Sequence, residues 1–201
     1  MQNKIRIIGL TGPIGSGKSY VGRLFKKAGY NTIDSDKVYH KLTSGATPLT
    51  KALKEQFGSR VINNDGSLNR AELSSIVFAD DSKLNLLNQI THTAVINSIL
   101  QKCSVLSSKG IDTVIVEVPL MFESGFDKHC YKVVSVIADE QTRIKRIMKR
   151  NAFSEVEAIK RIKKQKNNNF YIENSDLIVY NNTYAGARAD FKRVLADIFK
   201  K

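Results

Sequence analysis

The sequence predicts an α/β fold, a parallel five-stranded sheet with helices on both faces. Three features carry the prediction. Five short apolar runs, at 4–10, 32–33, 112–120, 131–138 and 176–182, alternate with stretches of helical spacing. Most of these runs are apolar almost throughout, as strands covered on both faces are. The first run leads through a glycine-rich turn directly into a helical stretch, the opening of a strand–helix–strand unit.

Taken in order, residues 4–10 form a buried strand, and from Lys18 a helix is set by Val21, Leu24, Phe25 and Ala28, with Gly29 as its stop. Thr32-Ile33 is a short second strand that ends in Asp34-Ser35-Asp36. Residues 37–57 read as helical with Pro48 interrupting, and Asn63 to Ser67 as a turn. Helices follow at 71–78 and 83–106, the second with Leu84, Leu87, Ile90 and Ala94 on one face. The third and fourth strands lie at 112–120, stopped by Pro119, and at 131–138. Two helices are expected at about 140–151 and 154–168, the latter capped by Ser154. After the strand at 176–182, the last helix, about 185–200, repeats Phe191, Val194, Leu195 and Ile198.

With 201 residues, the chain is expected to form one domain. Its core is assigned to 1–36, 111–140 and 170–201, with a helical insertion at about 37–110 and a helical lid at about 141–169. No apolar stretch approaches the roughly 20 residues of a membrane span, and no secretory signal opens the chain, so a cytoplasmic protein is expected. Cys103 and Cys130 fit no metal spacing and read as buried thiols. The net charge of +13 is concentrated: between Thr142 and Lys166, ten Lys or Arg face two acids, supplying +8. Such an excess suits nucleic acid, an anionic membrane or phosphorylated small molecules.

Gly12-Pro13-Ile14-Gly15-Ser16-Gly17-Lys18-Ser19 follows the pattern G-x-x-x-x-G-K-[ST]. Glycines let the backbone curl so that successive N–H groups face an anion, and the following helix adds its positive N-terminus. Lys18 reaches the β- and γ-phosphates, and the Ser19 hydroxyl can ligate Mg²⁺. No N-K-x-D base-reading motif follows, which favours ATP over GTP. A phosphoryl acceptor then enters from the carboxyl ends of the strands. Asp34 and Asp36 stand there. A carboxylate at that place can take the proton of an attacking hydroxyl or hold a water on Mg²⁺, whereas Asp34 equally suits a helix cap. Arg146 and Arg150, four apart, share a helix face, where guanidinium groups of a closing hairpin neutralise transferring phosphoryl oxygens. Three readings stay open on these residues alone: two are small-molecule kinases with different acceptors, and the third is a nucleic-acid-binding ATPase. The last calls for aromatics interleaved with the charges, and 142–166 holds only Phe153, so no nucleic acid partner is expected.

Further segments line up in order: "IDSDKVYHKL", "FGSRVINNDGSLNR", "QITHTAVI", "VEVPLMFESG", "TRIKRIMKR", "EAIKRIKKQ" and "SDLIVYNN". With the glycine loop, this series resembles the dephospho-CoA kinase family from about residue 5 to 195. The resemblance implies a P-loop kinase core, a helical CoA-side subdomain and a lid. It implies transfer of the ATP γ-phosphate to the ribose 3′-hydroxyl of dephospho-CoA, the last step of coenzyme A synthesis, with ATP and Mg²⁺ as cofactors. Asp36 would be the catalytic base, Lys18 the phosphate ligand, and Arg146 and Arg150 the lid arginines. Gly12, Gly15, Ser16, Gly17, Lys18, Ser19, Tyr20 and Asn182 would hold the nucleotide, and Asp36, Arg70, His92, Leu120, Phe122 and Glu123 the acceptor. The chain departs from the pattern at Pro13, where the family usually has Gly, and at Tyr20, where Thr is common. It departs again at Thr93, which follows His92 in place of Pro, and at Glu117, where Asp is frequent.

Overall fold

The computed structural model describes residues 5–199; Lys4 of the first expected strand and Lys200 of the last expected helix lie outside them. The chain divides into two compact units. One runs to Ile33 and resumes at Gly110, and the other is Asp34–Lys109.

Five strands form one sheet: β1 (Arg6–Thr11), β2 (Asn31–Asp34), β3 (Thr113–Glu117), β4 (Lys132–Ile137) and β5 (Leu177–Tyr180), in the order β2-β3-β1-β4-β5. β1 is the centre, parallel to β3 and β4, with Ile8 opposite Ile115 on one side and Lys132 on the other. β4 runs parallel to β5, Val136 opposite Val179. The chain winds from β1 to one side and later crosses to the other, so the end of β1 is the point where the strand order reverses. In open parallel sheets, ligands bind at such a point.

Two helices share one core cluster with the sheet. On α1 (Lys18–Lys27), Val21 and Phe25 are fully buried, and on α9 (Tyr184–Asp197), Ala187, Phe191 and Val194 join them against Ile8, Leu10, Ile115 and Val134. Phe25 meets Phe191 edge to face, ring centroids 4.8 Å apart. The α6 (Glu140–Asn151) and α7 (Glu155–Lys163) helices pack on each other through Ile144, Ile147, Ala158 and Ile162.

The Asp34–Lys109 unit is helical: α2 (Ser35–Thr43), α3 (Pro48–Phe57), α4 (Arg70–Val77) and α5 (Asp81–Ser108). Its core is Leu49, Leu53, Val61, Leu68, Leu73 and Val77, with the expected face of α5, Leu84, Leu87, Ile90 and Ala94, packed on it.

Four expectations differ from the structure. Ala28, expected on the buried face of α1, is exposed just past its end. Pro48 does not bend a helix but starts one: Thr47 and Thr50 form a reciprocal cap, and Pro48 takes the first turn, where no N–H is needed. The helix expected over 154–168 stops at Lys163, and a short helix, α8 (Asn168–Glu173), follows. Asn167 accepts a bond from the Phe170 N–H, a local alternative to helix continuation, and α8 then buries Tyr171. Cys103 is buried as expected, but Cys130 is only half-buried.

Phe25→Ala empties the seam between α1 and α9, and urea unfolding should show a loss of about 3–5 kcal/mol. A loss under about 1 kcal/mol would mean that the seam closes over the gap.

Candidate active site

The glycine loop lies between β1 and α1, at the carboxyl end of the central strand. Gly12 and Gly17 are each required by contact as well as conformation. Gly12 has φ 144°, and a Cβ there would strike the Val136 carbonyl oxygen of β4. Gly17 has φ 89°, and a Cβ there would strike the Asn181 amide nitrogen. Both angles lie where L side chains are strained.

Side chains from distant segments hold the loop's carbonyls. Arg143 Nε donates to Ile14 O at 2.8 Å, and Asn181 Nδ2 donates to Ser16 O at 2.7 Å. Arg146 Nη1 donates to Ser16 O at 3.2 Å and to Gly15 O at 3.4 Å. A trans peptide sets its C=O and N–H in opposite directions. Pinning the Ile14 and Ser16 carbonyls outward therefore turns the N–H groups of Gly15 and Gly17 the other way, into the concave side of the turn. The Ser16 hydroxyl and the Asn181 Oδ1 are buried beside the loop without a protein partner.

Ile14 ties the loop to the basic hairpin in three ways. Its side chain packs on the α6–α7 cluster, its N–H donates to Gln165 Oε1 at 2.7 Å, and its carbonyl accepts from Arg143. Arg143 is 3% exposed and also donates to Asn168 Oδ1 at 3.2 Å. Burial lowers its pKa, with Glu140 and Tyr171 opposing; a guanidinium so placed remains charged. α6 is capped by Asp139, which accepts from the Thr142 N–H at 2.7 Å and the Thr142 hydroxyl at 2.9 Å. Those bonds, the backbone one first, lower the Asp139 pKa.

The residues named from the sequence fall in several places. Lys18 and Ser19 open α1, Lys18 half-buried and Ser19 exposed. Arg146 reaches the loop, whereas Arg150 is exposed and donates to Asn151 Oδ1. Asn182 accepts from the Asp139 N–H at 2.9 Å, while its neighbour Asn181 is the one that touches the loop. Tyr20 pairs with Tyr184. Leu120, Phe122 and Glu123 lie in the turn after β3; Leu120 and Glu123 are exposed, and Phe122 meets Phe170 edge to face at 5.4 Å. Burial, then the Glu123 carboxylate, pushes the Tyr171 phenol up to about 12, so it stays protonated.

In the helical unit, Asp34 is the N-cap of α2, accepting from Asp36 N at 2.9 Å, and this leaves Asp36 exposed on the first turn. Arg70 donates to Thr43 Oγ1 at 3.3 Å and lies over the Tyr39 ring at 5.3 Å. His92 is half-buried on α5 and does not line the apolar groove of about 540 Å³ between α3 and α5, whose walls include Leu49, Ala52, Ile90 and Thr93.

The part that Arg143, Asn181, Ile14, Gln165 and Asn168 take in holding the loop was not foreseen from the sequence, although Arg143 stood in the expected lid and Asn181 in the Asn-Asn pair of the resemblance. A buried Arg in a basic run, or a second Asn beside an expected one, has no signature in the sequence alone.

Among the described residues, no group of three or more His, Cys, Asp or Glu gathers for a metal ion. A magnesium ion held chiefly by nucleotide oxygens and waters needs no such cage, and Ser19 fits it as a single protein ligand. Also among the described residues, no helix is long and apolar enough to cross a membrane.

Residues 6–186 match the dephospho-CoA kinase family. The dephospho-CoA kinase of Carboxydothermus hydrogenoformans is 36% identical over 175 residues, covering 87% of this chain and 85% of that one. A Thermus thermophilus crystal structure superposes with TM-score 0.83 at 26% identity, over 98% of this chain and 99% of the other. The dephospho-CoA kinase from Campylobacter jejuni gives TM-score 0.68 at 27% identity over 96% of each chain.

Arg143→Met keeps the methylene stem and strands two acceptors. Urea unfolding should show a loss of about 1–3 kcal/mol, and calorimetry a weaker Kd for ATP. An unchanged Kd would show that the Ile14 carbonyl keeps its orientation without this donor.

Proposed function

This chain belongs to the dephospho-CoA kinase family, and we propose how its own residues divide the work of moving the γ-phosphoryl group of ATP to the ribose 3′-hydroxyl of dephospho-CoA. The observation that carries the reading is the loop Gly12–Ser19, whose carbonyls are pinned outward by Arg143, Arg146 and Asn181. Main-chain N–H groups turned inward at a helix N-terminus form an anion cradle that costs no reorganisation when a triphosphate arrives. Gly12, Gly15, Ser16, Gly17 and Tyr20 line or flank this cradle, and Asn182, next in the chain to Asn181, is assigned to the nucleotide with them.

Lys18 neutralises charge on the β- and γ-phosphate oxygens. Mg²⁺ supplies further charge neutralisation at those oxygens when bound, and Ser19 is the protein ligand offered to it. Asp36, exposed and free of the capping duty that Asp34 performs, accepts the proton of the 3′-hydroxyl as its oxygen attacks phosphorus. The bond from the γ-phosphorus to the bridging oxygen breaks, and ADP leaves. Arg146 and Arg150 stabilise the equatorial oxygens of the transferring group. Arg146 bonds to loop carbonyls, so in this role it exchanges them for phosphoryl oxygens.

Residues from about 37 to 110 are assigned to the acceptor and about 141–169 to the lid, with the remaining segments as the kinase core. Arg70, His92, Leu120, Phe122 and Glu123 are the acceptor contacts. The apolar groove between α3 and α5 suits an extended, weakly polar substrate arm. The protein works in the cytoplasm with dephospho-CoA as its partner.

Asp36→Asn keeps size and hydrogen bonding and removes the base. With dephospho-CoA and Mg-ATP, ADP release and product mass should show kcat lowered by at least ~10² while the Kd for ATP holds. Unchanged turnover would remove the role from Asp36, and ADP formation with AMP but not with dephospho-CoA would reject the acceptor.

A further inference from the structure

Two tyrosines stand together beside the phosphate loop, one of them largely in water. Tyr20 follows Ser19 directly at the head of α1, and Tyr184 is the first residue of α9. Their ring centroids are 4.9 Å apart and their planes are tilted by 56°. Tyr184 is 67% exposed. Tyr20 is held: its ring packs against the core cluster at the α1–α9 seam, its hydroxyl accepts from Arg188 Nε at 3.0 Å, and the Arg23 guanidinium lies over its ring at 5.9 Å. Arg188 is one helical turn beyond Tyr184, so α9 supplies both the outer ring and the donor that orients the inner one.

This arrangement does little for stability. A ring two-thirds in water contributes a small part of the burial that a core tyrosine gives. It does leave an open aromatic face backed by a second, anchored ring, the kind of surface on which a planar ring stacks. Its position is tethered to the loop from both sides. Tyr20 is one residue past the last loop position, and Tyr184 is three residues past Asn181, which holds the Ser16 carbonyl. A triphosphate seated in the loop carries its nucleoside only a short reach from there.

We propose that Tyr184, braced by Tyr20, is the stacking platform for the base of the nucleotide whose phosphates the Gly12–Ser19 loop holds. The inference rests on the nucleotide-binding reading of that loop. It adds a residue, Tyr184, that neither the sequence motifs nor the resemblance named, and gives Tyr20 a role as its brace. Stacking of this kind accepts any base, because every base has a π face; the platform therefore separates nucleotides from bare polyphosphate rather than adenine from guanine.

The test compares ATP with inorganic tripolyphosphate, a ligand with the phosphates and no base, by calorimetry on the full chain. Tyr184→Ala should weaken ATP binding by about five-fold or more. It should leave tripolyphosphate within about two-fold of the parent. Tyr184→Trp, which offers a larger ring, should bind ATP as the parent does. The proposal is overturned if Tyr184→Ala binds ATP as the parent does, if it loses both ligands alike, or if the Trp variant is as weak as the Ala variant. A parent chain that binds neither ligand would instead overturn the nucleotide-binding reading itself.

Discussion

The turn after β1 works only if its peptide planes are held in one orientation, and the loop's own bond, Ser16 N–H to Pro13 O at 3.1 Å, holds just part of it. Glycines make the turn possible, but the same freedom would let it flip. The rest of the orientation comes from outside, from three side chains that grip carbonyls: Arg143 on Ile14, Asn181 on Ser16, and Arg146 on Gly15 and Ser16. Because the peptide is planar, gripping the oxygen aims the neighbouring N–H. Gly12 and Gly17 complete the arrangement by what they lack, since a Cβ at either would collide with the Val136 carbonyl or with Asn181 itself. The phosphate cradle thus belongs to the sheet, to the end of β5 and to α6 as much as to its own eight residues.

The same contacts explain why the loop contains an isoleucine. Ile14 is a large apolar residue in a turn devoted to anions, and it faces away from the concave side. Its side chain packs with the α6–α7 cluster, and its backbone bonds to Gln165 and Arg143. A movement of the basic hairpin therefore pulls on the loop directly. Arg146 sits at that junction with its guanidinium spent on loop carbonyls, acceptors weaker than phosphoryl oxygens.

In the helical unit two carboxylates two positions apart have different surroundings. Asp34 and Asp36 are both carboxylates at the head of α2, but Asp34 is occupied as the cap, accepting two backbone N–H groups, and Asp36 is left to solvent. Helix geometry makes the distinction: the cap position points back at the first turn, and the residue two further on points outward.

Strand and helix order, the loop motif, the apolar faces of α1, α5 and α9 and the capping role of Ser154 were all legible in the sequence. Each is written in local periodicity or short-range spacing, which the chain determines before it folds. The break between α7 and α8 was not, because three adjacent asparagines and a run of lysines carry no apolar period to contradict a longer helix. Nor were the residues that aim the loop. Arg143, Gln165 and Asn181 lie some 130 to 165 positions from the carbonyls and N–H they hold or in whose contact they stand. Sequence alone determined that an anion-binding turn stands at the end of a central strand. Which side chains orient it was decided only by the tertiary structure, because a hydrogen bond between remote segments depends on how the sheet and its helices bring them together, and no local pattern records that meeting.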